Sequence, residues 1–164
     1  MQKTRIVVLG GGYSGLMAAG RLASKLHEQS AEITLVNAAP EFVQRIRFHQ
    51  LAANQSPIKI SLSKMLNGKG VNFIQARVTG INPQTRSLTL ENTEPLNYDY
   101  LVYALGSYVD PTSIPGAAEY AMSLGTEATS IQLRDRLPTI AAGNGRMVIV
   151  GGGFTGIEAA TELA

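Results

Sequence analysis

Two apolar runs organise the chain. Ile6-Val7-Val8-Leu9 and Val148-Ile149-Val150 are hydrophobic at every position, the pattern of strands that a parallel sheet buries on both faces. Each runs into glycines and then into an alanine-rich stretch, so the pattern predicts strand, tight turn and helix at both places, the first helix spanning about Tyr13 to Leu26. Glu32-Ile-Thr-Leu-Val-Asn37 reads as a second strand and Val71 to Val78 as a third. Between them, Glu41 to Leu51 has apolar residues at 42, 43, 46, 48 and 51, which suits a short helix or an irregular wall. Ser61 stands as an N-cap for Leu62 to Asn67, which Gly68 closes.

Further along, the period changes. Ile81 to Leu90 alternates around a turn containing Pro83, the sign of an antiparallel excursion. Tyr98 to Leu105 is expected as a buried strand returning to the sheet, ended by Gly106-Ser107. Asp110-Pro-Thr-Ser-Ile-Pro-Gly116 is the best linker, because two prolines and a glycine disfavour regular structure. Glu127 to Ala142 reads as a helix in which Pro138 is an awkward member that would end it early. The fold class that follows is α/β: a Rossmann-like three-layer domain over residues 1–110 with an antiparallel β excursion. Residues 111–164 then form a linker and the incomplete start of a second nucleotide-binding domain, its first βα unit.

The two glycine turns are copies. Arg5 to Ala23 aligns with Arg146 to Ala164 at a constant offset of 141 positions, with 10 identities over 19 residues. Both contain G-x-G-x-x-G between a strand and a helix, the cradle of a dinucleotide pyrophosphate. The first glycine (Gly10, Gly151) makes the tight turn, the second (Gly12, Gly153) admits the pyrophosphate, and the third (Gly15, Gly156) lets helix and strand pack closely. Free N–H groups around Tyr13-Ser14 and Phe154-Thr155 then face the phosphates at the positive end of the helix dipole. Two cradles imply two dinucleotides. The second strand ends at Asn37, 22 residues after Gly15, where an Asp or Glu usually accepts from a ribose hydroxyl. An amide keeps hydrogen-bonding capacity without the charge, and an acid introduced there is expected to bind equally well or better; Asn37 suits equally the start of a turn with Ala38-Ala39-Pro40.

Composition narrows the chemistry mainly by exclusion. With 45% hydrophobic and 16% charged residues the chain is globular in balance, and a net charge of +2 with dispersed basic residues indicates no nucleic-acid groove. There is no cysteine, hence no disulfide scaffold, thiolate zinc site or redox-active cysteine pair in this segment. His27 and His49 do not make a metal site by spacing, and His27 reads as an exposed residue at the end of the first helix. No catalytic side chain is assigned. The N-terminal Met-Gln-Lys-Thr-Arg before an apolar stretch is read as structure and not as a signal peptide, because glycines interrupt the stretch and it recurs internally. No apolar run is long enough to cross a bilayer, so a cytoplasmic location is expected.

These residues resemble the pyridine nucleotide-disulfide oxidoreductase superfamily, and within it the type II NADH dehydrogenase and apoptosis-inducing-factor-like flavoproteins. The resemblance rests on Gly10 to Gly15, on Tyr98-Asp-Tyr-Leu-Val-Tyr-Ala-Leu-Gly-Ser107 with Ile114-Pro-Gly116, and on Gly151-Gly-Gly-Phe-Thr-Gly-Ile-Glu158. It implies FAD in the first cradle and NADH or NADPH at the second. Carried over residue by residue, it places Gly10, Gly12 and Gly15 at the FAD pyrophosphate, Asn37 at the ribose, and Val78 at the adenine through its backbone. Ala104 and Gly106 would line the flavin, and Gly151, Gly153, Gly156 and Glu158 would belong to the nicotinamide nucleotide's site. Two departures stand out: Asn37 for the usual acid, and Leu105 for the usual threonine in Ala-Thr-Gly.

The resemblance also implies an N-terminal part of a longer flavoprotein oxidoreductase that passes hydride from NAD(P)H to FAD. The superfamily's disulfide branch carries a cysteine pair soon after the second strand, and Glu41 to Asn54 has none. Electrons are therefore expected to leave for a quinone, with small electron carriers or oxygen behind it. Arg45, Arg47 and His49 would stand near the flavin, or else form a solvated basic face. The alternative from another class is a truncated, non-catalytic dinucleotide-binding fragment. The 164-residue chain is expected to be inactive alone, and to dimerise, swap its C-terminal segment or dock it on its first domain. Membrane attachment, at most peripheral, belongs to the longer protein.

Overall fold

A computed structural model of the chain describes residues 3–27 and 30–164. In chain order the elements are β1 (Thr4–Leu9), α1 (Tyr13–Lys25), β2 (Ala31–Asn37), β3 (Glu41–Phe42), α2 (Phe48–Ala52), β4 (Ile60–Ser61), α3 (Leu62–Leu66), β5 (Val71–Gln75), β6 (Val78–Asn82), β7 (Ser87–Leu90), β8 (Leu96–Asn97), β9 (Tyr100–Tyr103), α4 (Ala117–Tyr120), α5 (Glu127–Ala142) and α6 (Phe154–Glu162). They form two compact units, Met1–Val43 with Lys59–Gly106, and Gln44–Ile58 with Ser107–Ala164.

The first unit is built on a parallel sheet of order β5-β2-β1-β9. Alternation along β1 explains its three layers, since successive side chains point to opposite faces. Ile6 and Val8 join Ile33 and Leu35 of β2 and Ala19 of α1 in one apolar cluster. Val7, Leu9 and Val36 face the other way, against Leu88, Leu90 and Tyr98 of the antiparallel sheet β6-β7-β8 and the residue that follows it. Val8, Leu9 and Leu35 are wholly buried, each contributing about 1.5–3 kcal/mol by leaving water. The start of β9 is pinned beside β1 by Asp99, which accepts from the Arg5 backbone N–H at 2.8 Å and pairs with the Arg5 guanidinium at 3.1 Å. That hydrogen-bonded pairing lowers the Asp99 carboxyl below its ordinary value and raises the Arg5 guanidinium.

The observed elements depart from the sequence pattern in five places, the fifth at Pro138 of α5. The strand expected over Val71 to Val78 is two strands: β5 stays in the parallel sheet, Ala76 and Arg77 break away, and Val78 opens β6 in the antiparallel sheet. A run of strand-forming residues with no glycine or proline to mark a break cannot distinguish one long strand from two short ones on different sheets. The returning strand is present as β9 and pairs parallel with β1, but it is an edge strand, with Tyr100 and Tyr103 both 66% exposed. Ser61 does precede α3, yet its hydroxyl lies 2.9 Å from that of Ser63 and caps no backbone N–H. Arg146 to Val150 belongs to no ladder among the described residues, and Val148 and Val150 are exposed.

In the second unit α5 runs to Ala142 and passes through Pro138 without ending. Thr126 caps its start, the hydroxyl accepting from the Thr129 N–H at 3.1 Å, and Ser130 and Leu133 bury one side. The short α2 packs on both α5 and α6. Among the described residues no helix is long and apolar enough to cross a membrane, and no cluster of His, Asp and Glu could hold a metal ion.

Candidate dinucleotide cradles

The first glycine turn hangs from the ends of three parallel strands. Gly10 donates its N–H to the Val36 carbonyl at 2.8 Å, and the Ala104 N–H, just past β9, donates to the Leu9 carbonyl at 2.9 Å. Gly10 itself sits at φ +102°, a backbone region that L side chains rarely adopt, and a Cβ there would overlap the Ala104 carbonyl oxygen. A Cβ at Gly15 would overlap the carbonyl oxygen of Gly10 and reach to 3.5 Å from Ala104 Cβ. The first and third glycines and Ala104 are thus held against one another by the sheet.

The second glycine is different in kind. A Cβ at Gly12 would meet no atom within 4 Å, so the protein leaves open the place that a bound pyrophosphate needs. Gly12 is also the N-cap of α1, in an extended conformation with no side-chain cap. The first-turn N–H groups around Tyr13 and Ser14 therefore have no capping oxygen there, as an anion-binding helix start requires. The Tyr13 ring stands edge-on to Phe42, centroids 4.9 Å apart. The cradle fits a pyrophosphate on geometry alone.

The second turn repeats the first internally. Gly151 has φ +120°, a Cβ at Gly156 would overlap the Gly151 carbonyl oxygen, and a Cβ at Gly153 would meet nothing within 4 Å. Gly153 is the extended N-cap of α6, again with no side-chain cap, and Phe154 at the first helical position is exposed. Two residues past the third glycine, Glu158 places Oε2 3.3 Å from Nδ1 of the buried His49. Thr155, Glu158 and His49 line one cavity with Arg45, Phe48 and Leu124. Gln55 adds a second tie to the same helix, donating to Glu162 at 2.8 Å.

The remaining expected site residues fall in several places. Two of the five guanidinium N–H donors of Arg45 are spent on backbone carbonyls, Ser107 at 2.6 Å and Gly125 at 3.2 Å. Val78 opens β6 opposite Leu90 and packs in the second apolar cluster. Gly106 has φ +77°, a conformation suited to glycine where the chain leaves β9. Asn37 ends β2 beside the first turn, its side-chain oxygen accepting from the Gly11 N–H at 2.8 Å and its amide donating to the Ala39 carbonyl at 2.9 Å. Pattern reading passed over Gly11 and Leu62: a Cβ at Gly11 would come 2.7 Å from Leu62 Cδ1 and 3.0 Å from Asn37 Cγ. A third glycine in a row was the available signal.

Comparison with known proteins agrees with this geometry. Residues 4–164 match the family model of the pyridine nucleotide-disulphide oxidoreductases. An NADH dehydrogenase-like protein of Mycobacterium tuberculosis is 34% identical over 170 residues, which cover 98% of this chain and 42% of that protein. A type II NADH:quinone oxidoreductase of Staphylococcus epidermidis is 31% identical over 174 residues, covering 98% of this chain and 43% of that protein. Among solved structures, the sulfide:quinone oxidoreductase of Aquifex aeolicus superposes with a TM-score of 0.75 at 26% identity, over 85% of this chain and 32% of that one. The chain thus spans well under half the length of the curated relatives it matches. Family membership implies FAD and a nicotinamide nucleotide as the cofactors. From its strand order, its paired glycine turns and this match along nearly its whole length, the chain belongs to the pyridine nucleotide-disulphide oxidoreductase family.

Proposed function

We propose that this chain carries the FAD cradle, at Gly10 to Gly15, and the nicotinamide cradle, at Gly151 to Gly156, of an NAD(P)H:quinone oxidoreductase. The observation that carries the reading is the repeated turn, in which Gly12 and Gly153 alike face open space while Gly15 and Gly156 are closed by a backbone carbonyl. A nicotinamide donor is favoured by the presence of the second cradle. A quinone acceptor is favoured by the quinone oxidoreductases among the relatives, and by a sequence that contains no cysteine for a disulfide acceptor. Contact of the longer protein with a membrane surface follows from the same acceptor.

Bound FAD would supply the hydride-accepting and electron-passing chemistry. The chain's own part is to bind and orient. Uncapped helix starts at Tyr13 and Phe154 offer N–H groups and a positive dipole end to the phosphates. Ala104 closes one side of the first turn, with Gly106 following where the chain leaves β9, and Glu158, held by His49, sets the carboxylate beside the second. In the longer protein Gly153→Val should block flavin reduction by NAD(P)H while dithionite still reduces the flavin. Unchanged reduction by NAD(P)H in that variant would overturn the two-cradle reading.

A further inference from the structure

Asn37 stands where an acidic residue is expected, and its surroundings give the amide a task that an ionised acid cannot perform. Three strand ends meet on this residue. Its backbone carbonyl accepts from the Ala76 N–H at 3.1 Å, past the end of β5. Its side-chain oxygen accepts from the N–H of the buried Gly11, and its amide nitrogen donates to Ala39. The assignment of oxygen and nitrogen is forced by the partners, since a backbone N–H can only donate and a carbonyl can only accept. The ladder between β1 and β2 therefore continues one residue past its last backbone bond, Gly10 to Val36, through a side chain.

We propose that Asn37 is a positioning residue that pre-forms the first phosphate turn through simultaneous acceptance and donation. Without the Asn37 oxygen the buried Gly11 N–H has no partner, which costs more than an ordinary hydrogen bond returns. Without the Asn37 N–H the Ala39 carbonyl loses its donor, and the loop is then held only from Pro40 onward, where the Pro40 carbonyl accepts from the Leu62 N–H at 2.9 Å. Leu62 in turn packs over Gly11. The amide, the loop and Leu62 thus close a ring around the turn. Asn37 retains one amide hydrogen beyond this ring, so toward a ribose it offers a donor where an acid offers an acceptor. An ionised acid at 37 keeps the bond to Gly11 but sets a carboxylate oxygen against the Ala39 carbonyl. The proposed role therefore runs against the expectation that an acid serves as well as the amide.

The inference rests on the reading of the first turn as the FAD cradle, and its test separates the two. The atoms that bond to the side chain, Gly11 N and Ala39 O, are uncharged backbone groups, so a pH dependence introduced by Asn37→Asp belongs to the new carboxyl. Protonated, that carboxyl regains a donor for Ala39 and mimics the amide. Apo melting temperature and FAD affinity are measured for the wild-type chain, Asn37→Asp and Asn37→Ala between pH 8 and pH 4.5. At pH 8 both variants should melt below wild type, and FAD should bind each about tenfold more weakly, the scale of one hydrogen bond lost at a buried partner. As pH falls, Asn37→Asp should close on wild type while Asn37→Ala keeps its deficit. Equal melting and equal affinity of Asn37→Asp and wild type at pH 8 would overturn the proposal, as would an Asp deficit that does not shrink with pH. If the wild type bound no FAD, the functional reading would fall, and the melting comparison alone would still decide the role of Asn37.

Discussion

The two glycine turns share their internal contacts and differ in their surroundings. At the first, β2 and β9 flank the entering strand, Ala104 stands against Gly10, and Leu62 and Asn37 close over Gly11. At the second, the entering segment has no ladder, and a Cβ at Gly151 or Gly152 would meet nothing within 4 Å among the described residues. What persists in both is the contact of the third glycine with the carbonyl of the first, and the open space at the second. The turn is therefore a local property of the G-x-G-x-x-G spacing, and its rigidity is a property of the sheet around it. A preformed cradle binds without first spending free energy on ordering itself.

That difference can be broken most forcefully at the third glycines. Gly15→Val should destabilise the first unit by more than about 3 kcal/mol, because neither the Gly10 carbonyl nor the strand behind it can retreat from the new side chain. Gly156→Val meets the equivalent overlap with the Gly151 carbonyl, but an unpaired segment can yield, and about 1 kcal/mol is expected. Urea unfolding of both variants checks this; equal losses would mean that the second turn is as firmly held as the first.

Hydrogen exchange sharpens the comparison with a smaller effect. Amides of Ile6 to Leu9 should be strongly protected, whereas those of Met147 to Val150 should exchange near the rate of an open chain at low protein concentration. Val148 and Val150 are exposed beside unpaired backbone, a template for association with another copy. Protection at these positions that rises with concentration, together with a dimer in light scattering, is the expected outcome. Full protection in a monomer would contradict the unpaired state.

Much of the contrast was written in the sequence, and part of it was not. The strand, turn and helix of the first copy follow from Ile6 to Gly15, and the turn and helix of the second from Gly151 to Gly156, because spacing is a local signal; the strand expected over Val148 to Val150 is not formed, because pairing needs neighbours that an apolar run does not supply. The β5-to-β6 break at Ala76 and Arg77 was hidden, since residues on two different sheets share one unbroken pattern. The exposure of β9 was hidden too: Tyr98 to Leu105 reads as a buried strand, but burial depends on which elements flank the strand and not on its own residues. At the site, the glycines were legible and the partners of Asn37 were not. Hydrogen bonds to Gly11 and Ala39 depend on how a loop folds back, and no periodicity encodes that. The pairing of His49 with Glu158, residues 109 positions apart in sequence, is equally a product of the fold.

The smallest expected effect concerns the pin between β1 and β9. Asp99 is held below the ordinary carboxyl value by hydrogen bonds to Arg5. The stability it contributes is thus fully present above the unfolded-state value, about pH 3.9, and is lost as pH falls through the lowered folded value. Asp99→Asn should melt slightly below wild type at pH 7, and the gap should vanish in strong acid. A gap that is constant with pH would assign the Asp99 contribution to something other than its charge.

The central claim is that two like turns serve two different nucleotides, the first of them FAD. A fluorescence titration of FAD against the wild-type chain, Gly12→Val and Gly153→Val, each checked for an unchanged melting temperature, tests it most directly. A Cβ at either position meets nothing within 4 Å beyond its own chain neighbours, so the fold should survive both. Gly12→Val should weaken FAD binding more than a hundredfold, about 2.8 kcal/mol, while Gly153→Val should leave it at the wild-type value. FAD binding that survives Gly12→Val, or that falls with Gly153→Val instead, would contradict it.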